Sequence, residues 1–220
     1  MSRLGFYTLA ALTVYLLIAF SLGPIHIGPI KSPHSATLQA VHTLTLAAFQ
    51  YANDFDQHYP DGKSSTEICQ KLLDGKYVSD PAIFYVPLPG KVKARAGQPL
   101  KPENVCWDFT GRVGNSGLDS SDPDTIPVVY LTGFRMSYTR GGNAVPLIKP
   151  YSISVPDGEG WFSASRQTYS GPSGLAVAYK SNSTKFISLD DKGIVPNVLP
   201  SEFEDNDARY HQLTPNGALP

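Results

Sequence analysis

Three aspartates in one short stretch, Asp119, Asp122 and Asp124, have the residue type and spacing that best fit metal chemistry. Their carboxylate oxygens, with the hydroxyls of the serines between them, are hard ligands of the kind that calcium prefers. The same stretch also fits a solvated turn, in which aspartate and serine side chains accept hydrogen bonds from their own backbone amides. The residues at 119–124 therefore predict either a calcium site or a capped turn.

The two cysteines of the chain, Cys69 and Cys106, provide a second possible chemistry. In an oxidising compartment they would form one disulfide, and otherwise they would be two buried free thiols. Cys69 falls within a predicted short helix, where packing or a disulfide is a more common role than nucleophilic attack. Both alternatives stay open at the level of the sequence.

The sequence contains no motif that indicates an enzyme. A nucleophile needs a base beside it, usually with a third group that orients the base. The histidines fall outside any recognised nucleophile or metal motif: His26, His34, His42, His58 and His211. The signatures of phosphate, dinucleotide and zinc sites are absent from the sequence. We therefore expect a protein that is not an enzyme. The net charge of −1 and the lack of a basic stretch also argue against nucleic acid as a partner.

Aromatic side chains suggest carbohydrate binding as a different class of function. Trp107, Trp161 and Phe162, together with Tyr151 and Tyr169, could line a surface on which sugar rings stack. Aromatic residues at such scattered positions also pack in cores and on sheets. Core packing is therefore the second interpretation of the same five residues.

The N-terminal segment is the longest uncharged stretch of the chain. Residues 4–30 contain no Lys, Arg, Asp or Glu, whereas Arg3 precedes them and Lys31 follows. A helix over residues 4–22 would rise about 28 Å, close to the ~30 Å hydrocarbon core of a bilayer. A cleaved signal peptide and an uncleaved signal anchor are two interpretations of this segment. The prolines between Gly23 and Pro29 predict a kink after it.

The start of the chain, from Arg3 to Leu9, resembles the processing site of type IV pilins and of the pseudopilins of type II secretion. In that family a prepilin peptidase cleaves after the glycine, here Gly5, and Phe6 becomes the first mature residue, with a methylated amine. The family's glutamate at the fifth mature position is replaced by Ala10, which removes a charge used in filament assembly. The order of motifs over residues 1–87 is similar to that of the major-pseudopilin group.

The resemblance implies an α+β fold, in which a long N-terminal transmembrane helix, kinked near Gly23–Pro29, packs on a small antiparallel β-sheet domain. It implies a structural subunit of a pilus-like or type II secretion-like filament that serves protein transport. The partners would be copies of the chain or related subunits, the prepilin peptidase, the membrane and its assembly machinery. The location would be the bacterial inner membrane, crossed once, with the globular domain extracytoplasmic, or a surface filament. Calcium near the sheet is also common in that family.

The alternative function is a membrane-anchored extracytoplasmic binding module that does not polymerise and that binds polysaccharide. This alternative depends on the aromatic residues described above rather than on the family resemblance. A free N-terminus at Phe6 would favour the filament subunit. Retention of the protein on a sugar matrix would favour the binding module.

The pattern along the chain divides it into six segments. They are a leader (1–5), an apolar helix (6–30), an amphipathic helix (31–60), a short helix with a variable loop region (61–125), an antiparallel sheet (126–189) and an irregular tail (190–220). In the amphipathic helix, apolar residues recur at spacings of three and four and predict one buried face. They are Val41, Leu44, Ala48, Tyr51 and Phe55.

Local signals predict several of the smaller elements. Ser64 and Glu67 form a capping box at the start of the short helix, and Gly75 is placed to end it. An apolar run at 126–131 predicts a buried strand. Two hairpins are predicted, one with its turn at 140–143, and one that joins 175–179 to 184–189.

Overall fold

The computed structural model describes residues 33–114, 116–156, 166–203 and 209–219. The predicted leader, the processing site at Gly5 and Phe6, the replaced position Ala10 and the apolar segment with its kink therefore lie outside the described residues. Trp161 and Phe162 lie outside them as well.

The first described helix, α1 (Pro33–Asp54), lies across one face of the main sheet and contacts its central and edge strands. It begins at Pro33 because proline at the first helical position loses no intrahelical hydrogen bond. Val41, Leu44 and Ala48 are fully buried, which confirms the predicted apolar face for these residues. Phe55 instead lies just beyond the helix and is 49% exposed, so its assignment to that face is wrong.

The second helix, α2 (Ser65–Asp74), has the predicted caps. The Ser64 side chain accepts a hydrogen bond from the Glu67 amide at 3.2 Å, and Gly75 follows the last turn. The Glu67 carboxylate accepts a hydrogen bond from the amide of Lys63 at 2.8 Å, whereas a capping box would use the amide of Ser64 itself. Two 3-10 turns follow, at Pro81–Phe84 and Pro102–Asn104.

Strands make up most of the remaining described chain. In order they are β1 (Trp107–Arg112), β2 (Pro127–Leu131), β3 (Phe134–Met136), β4 (Ala144–Pro146), β5 (Tyr151–Pro156), β6 (Arg166–Gly171), β7 (Gly174–Tyr179), β8 (Thr184–Ser188), β9 (Tyr210–Thr214) and β10 (Gly217–Ala218). The predicted strand at 126–131 and both predicted hairpins are confirmed as β2, β3–β4 and β7–β8. The predicted irregular tail instead contributes β9 and β10.

Six of these strands form one antiparallel sheet in the order β10-β9-β1-β2-β7-β8. The late strand β9 pairs with β1, with Leu213 opposite Phe109, so the C-terminus is part of the main sheet. The centre of the sheet is apolar on both faces, and every residue of β7 is buried. Trp107, at 0% exposure, is the largest fully buried side chain of this core.

Two further pairs of strands form separate ribbons, β3–β4 and β5–β6. The side chain of Gln212, on β9, ties the first ribbon to the main sheet. Its Oε1 accepts from the amide of Met136 at 3.0 Å and its Nε2 donates to the carbonyl of Phe134 at 2.6 Å. A side-chain amide therefore takes the place of a neighbouring strand at the edge of β3. On the other side, Ala144 and Val195 exchange two backbone hydrogen bonds of 2.9 Å.

The predicted fold class, with a long N-terminal helix on a small sheet, is wrong for the part of the chain that the structure describes. The longer of its two helices has 22 residues and starts at Pro33, and the rest is mainly sheet. A pilin fold is built on a long apolar helix, whereas α1 is amphipathic and places Gln39, Thr43 and Gln50 on its outer side. The resemblance to pilins and pseudopilins is therefore contradicted, and with it the assignments to type II secretion, methylation and protein transport.

No helix among the described residues is both long enough and apolar enough to cross a membrane. At about 1.5 Å per residue α1 has the length for a span, but polar residues such as His42 and Asn53 interrupt it. This finding contradicts the predicted location as a single-pass inner-membrane protein with an extracytoplasmic domain.

Candidate functional site: an aromatic cleft

A cleft of about 320 Å³ opens where α1, the two ribbons and the edge of the main sheet meet. Its walls carry aromatic rings from five elements: His34 of α1, Phe134 of β3, Tyr151 of β5, Tyr169 of β6 and Phe186 of β8. The volume is at the lower end of the range of about 300–1,000 Å³ that small-molecule sites occupy. The cleft therefore has the size and the lining of a small binding site.

The β5–β6 ribbon positions the two tyrosines. In the paired strands, Ile153 stands opposite Tyr169 and Tyr151 stands opposite Gly171. Because side chains alternate along a strand, the two tyrosines share one face as diagonal neighbours, a spacing of about 7–8 Å. The Tyr151 ring also covers Gly171, since a Cβ atom there would lie 2.8 Å from the tyrosine hydroxyl oxygen. Gly171 therefore leaves the room that the Tyr151 ring occupies.

The opposite wall is a stacked pair of rings. The centroids of His34 and Phe186 are 4.2 Å apart and their planes differ by 17°. The Nε2 atom of His34 lies 3.3 Å from the hydroxyl oxygen of Ser173, which is also in the cleft lining. This wall therefore combines a flat apolar surface with a polar edge.

Tyrosine hydroxyls supply the rest of the polar lining. Thr168 and Ser170 flank Tyr169 along β6, so their side chains point to the other, exposed face of the ribbon. The Tyr169 hydroxyl donates to Oε1 of Gln167 at 3.0 Å. Burial raises the pKa of the Tyr151 hydroxyl, which keeps it a neutral donor near pH 7. The cleft therefore offers ring faces beside uncharged hydrogen-bonding groups.

The aspartates of residues 119–124 are paired with cationic side chains of the protein. Arg112 forms ion pairs with Asp119 and with the fully buried Asp122, the second at 3.6 Å, and the ammonium of Lys180 lies 3.7 Å from Asp124. Lys180 also donates to the carbonyl of Ser120 at 3.0 Å and to that of Asp122. The Lys180 ammonium therefore already binds carbonyl and carboxylate oxygens of the kind that a metal ion would use as ligands.

The same loop also has the hydrogen bonds of a capped turn. The amide of Asp119 donates to Asp122 at 2.7 Å, and the amide of Ser121 donates to Asp119 at 2.8 Å. Burial alone would raise the pKa of Asp119, but the bonds from Ser121 and Arg112 outweigh it and hold the pKa below its usual value. No group of three or more metal-ligating side chains converges anywhere in the described ranges. Calcium binding at these aspartates stays a prediction.

Replacing Lys180 with methionine tests the ion pairs of this loop. The change keeps an apolar stem but removes the ammonium from two carbonyls and a carboxylate, so we expect a loss of about 1–3 kcal/mol in the free energy of unfolding. Urea unfolding measures it, with Lys192→Met, an exposed lysine, as the matched control. Equal stability of the two variants would contradict this role. If calcium binds the loop, the Lys180→Met variant should bind it more tightly than the wild type.

Both cysteines are buried free thiols in the structure, which is the second of the two alternatives that the sequence left open. The thiol of Cys106 donates to the carbonyl of Val86 at 3.2 Å. Burial raises the pKa of Cys106 to about 12 and that of Cys69 well above its usual value. Since only the thiolate reacts as a nucleophile, neither cysteine has the properties of a catalytic one.

The structure separates the five aromatic residues that were considered for sugar binding. Tyr151 and Tyr169 meet in the cleft. Trp107 is in the core and donates its indole N–H to the carbonyl of Ile83 at 3.0 Å. His34, Phe134 and Phe186 were missed, because α1, β3 and β8 come together only through tertiary packing. A partial signal was the alternation of Tyr151, Ile153 and Val155 with polar residues, which is typical of a half-buried strand.

Comparisons with known protein families, with curated proteins and with solved structures find no match to this chain.

Proposed function

We propose that the described domain is a non-enzymatic binding module that holds a saccharide in the aromatic cleft. The observation that supports the proposal is the convergence of Tyr151, Tyr169, Phe186 and His34 on one small cleft. Aromatic side chains offer flat apolar faces and, in tyrosine, a polar end. A sugar ring has the complementary surface, since its C–H groups can pack on the rings while its hydroxyls bind Ser173 and the ring nitrogen of His34.

A hydrolase is the alternative that Ser173 and His34 raise, because the two side chains are 3.3 Å apart inside the cleft. A serine nucleophile also needs its histidine oriented, usually by a carboxylate. No carboxylate is among the described residues that line the cleft. The pair therefore supports a polar contact for a ligand better than it supports a catalytic dyad, and the absence of enzymatic activity stays a prediction.

The filament function has lost its support. It depended on the family resemblance, which the fold contradicts, and on residues 1–32, which lie outside the described ranges. Its predicted partners, the related subunits, the peptidase and the assembly machinery, depended on the same resemblance. We therefore do not carry the filament function forward.

Replacing Tyr169 with alanine tests the proposal. Isothermal titration calorimetry is run with short oligomers of glucose, galactose and mannose. We expect at least one of them to bind, and the Tyr169→Ala variant to bind it about ten-fold or more weakly, because one aromatic face is lost. Tyr169→Phe keeps the ring and should retain most of the affinity.

Phe55→Ala provides the control, since Phe55 is an exposed aromatic residue outside the cleft and should leave binding unchanged. Two results would count against the proposal: no heat of binding with any of the oligomers, or equal losses in the Tyr169→Ala and Phe55→Ala variants.

A further inference from the structure

The aromatic cleft has ring surface on two of its sides. Tyr151 and Tyr169 stand on the side of the β5–β6 ribbon. The stacked pair of His34 and Phe186 stands on the side of α1 and the edge of the main sheet. A flat ligand between these two sides therefore meets apolar surface on both of its faces.

The hydrogen-bonding groups of the cleft lie at the edges of these rings. The hydroxyl oxygen of Ser173 and the Nε2 atom of His34 are 3.3 Å apart on one side. A tyrosine hydroxyl lies in the plane of its own ring, and that of Tyr169 already donates to Gln167 at 3.0 Å. A ligand hydroxyl at the rim of a bound sugar ring therefore finds partners, whereas one that points at an aromatic face finds only a weak acceptor.

Two glycines hold the rings of both sides in place. A Cβ atom at Gly174 would lie 2.8 Å from a ring carbon of Phe186 and 2.4 Å from the carbonyl oxygen of Ile187, so the Phe186 ring packs against bare backbone. On the ribbon, the Tyr151 ring covers Gly171 in the same way. Because both rings rest on backbone, the two sides are formed before a ligand binds, which reduces the entropy that binding costs.

The lining of the cleft also fits an uncharged ligand. In the part of the chain that the structure describes, no carboxylate, ammonium or guanidinium group lines the cleft. A charged sugar would lose hydration there without gaining an opposite charge. The cleft therefore favours a neutral ring.

The stereochemistry of a sugar ring decides which of its faces can be buried. In β-linked glucose and xylose every ring substituent is equatorial, so both faces carry only C–H bonds and the hydroxyls surround the edge. Mannose has an axial hydroxyl at C2, which projects from one face. Between two aromatic sides that hydroxyl would lose its water without a new partner, and a buried hydroxyl without a partner weakens binding by about 10–100-fold.

We propose that the cleft selects saccharides whose rings carry only equatorial substituents, as in β-linked chains of glucose or xylose. This inference rests on the proposed saccharide binding and names the class of ligand. The rings of Tyr169 and Phe186 pack on opposite faces of one sugar unit. Ser173 and His34 bind hydroxyls at its edge.

The test compares tetramers of β(1→4)-linked glucose, xylose and mannose by titration calorimetry. The glucose and mannose tetramers differ only in the configuration at C2, so they are a matched pair. We expect the glucose tetramer to bind about 10–100-fold more tightly than the mannose tetramer. The xylose tetramer, which also lacks axial hydroxyls, should bind more tightly than the mannose tetramer as well.

The Tyr169→Ala variant tests whether two aromatic sides cause this preference. Removing one side lets the mannose ring turn its axial hydroxyl toward the opened space, so the ratio of the two affinities should fall several-fold while both affinities decrease. Tyr169→Phe keeps the ring and should keep the ratio. Phe55→Ala, an exposed aromatic residue outside the cleft lining, is the control and should also keep it.

Equal affinity for the glucose and mannose tetramers, or tighter binding of mannose, would overturn the inference. A ratio that survives intact in Tyr169→Ala would overturn it too, because the preference would then arise elsewhere. If the tetramers bind in a Tyr169-dependent way without a preference at C2, only this inference fails. If no oligomer binds, the proposed function fails with it.

Discussion

Replacing Gln212 with leucine is expected to lower the free energy of unfolding by about 3–6 kcal/mol. The Gln212 side chain is 4% exposed and hydrogen-bonds to Met136, Phe134 and Asp108. Leucine fills a similar volume but leaves the Met136 amide, the Phe134 carbonyl and the carboxyl of Asp108 without this partner. Each buried polar group left unpaired costs about 1–3 kcal/mol. Urea unfolding at constant pH measures the loss.

Two further variants sharpen this test. Gln50→Leu makes the same chemical change on the exposed side of α1 and should alter the free energy of unfolding by less than about 0.5 kcal/mol. Gln212→Glu keeps an acceptor for the Met136 amide but brings a second carboxyl next to Asp108. Its stability should therefore recover as the pH falls and the added carboxyl becomes protonated. A loss below about 1 kcal/mol in Gln212→Leu would contradict the role of this residue in holding β3.

The Asp108→Asn variant is expected to remove a large part of the pH dependence of stability between about pH 4 and pH 7. Asp108 is fully buried on β1, and its Oδ1 atom has no hydrogen-bond partner in the part of the chain that the structure describes. Burial raises its pKa from 3.8 to about 7, although hydrogen bonds from Thr132 and Gln212 act in the opposite direction. The folded protein therefore holds a proton that the unfolded chain releases.

The direction of the pH dependence follows from this difference in proton binding between the folded and the unfolded protein. Between pH 4 and 7 the folded state binds more protons than the unfolded chain. The contribution of Asp108 to the free energy of unfolding is therefore highest below about pH 4 and falls as the pH rises through 7. A pKa of about 7 in the folded protein against 3.8 in the unfolded chain corresponds to a change of roughly 4 kcal/mol in the free energy of unfolding. The lowered pKa of His211, caused by burial, adds a smaller dependence of the opposite sign, which is present in both proteins.

Urea unfolding of the wild type and of Asp108→Asn over this pH range isolates the contribution of Asp108. Asp56→Asn, at an exposed position after α1, is the control and should keep the wild-type profile. Parallel profiles for the wild type and Asp108→Asn would mean that the carboxyl is already ionised in the folded protein.

Local signals were sufficient to predict the elements that neighbouring residues determine. The cap of α2 depends on Ser64 and Glu67, which are three residues apart, and the β3–β4 turn depends on the glycines at 141 and 142. Elements that depend on distant pairing were missed. Strand β9 contains His211 and Gln212, which look exposed in the sequence but face β1 and β3 in the structure.

The family resemblance misled the fold assignment because it depended on residues 1–87 and mainly on the apolar start. The order of short motifs around a helix says little about how many strands follow or how they pair. Six strands in one sheet, with the C-terminal β9 beside β1, could not be read from those residues.

The cleft could be predicted only in part. Tyr151 and Tyr169 were recognised as possible sugar-binding residues, but they are 18 positions apart in a ribbon that the sequence did not predict. His34 and Phe186 are still farther apart and meet only because α1 packs on the edge of the main sheet. Local patterns do not carry that information, since it depends on the register of strands and on helix packing.

The measurement that tests saccharide binding most directly is amide chemical-shift mapping by NMR. The protein is titrated with the tightest-binding of the glucose, galactose and mannose oligomers. We expect the largest shifts at residues 168–174, around Phe186 and in the first turn of α1, because these backbones line the cleft. Saturable shifts confined to those places would support the account. Shifts centred instead on the exposed end of α1 near Phe55, or no saturable shifts with any oligomer, would contradict it.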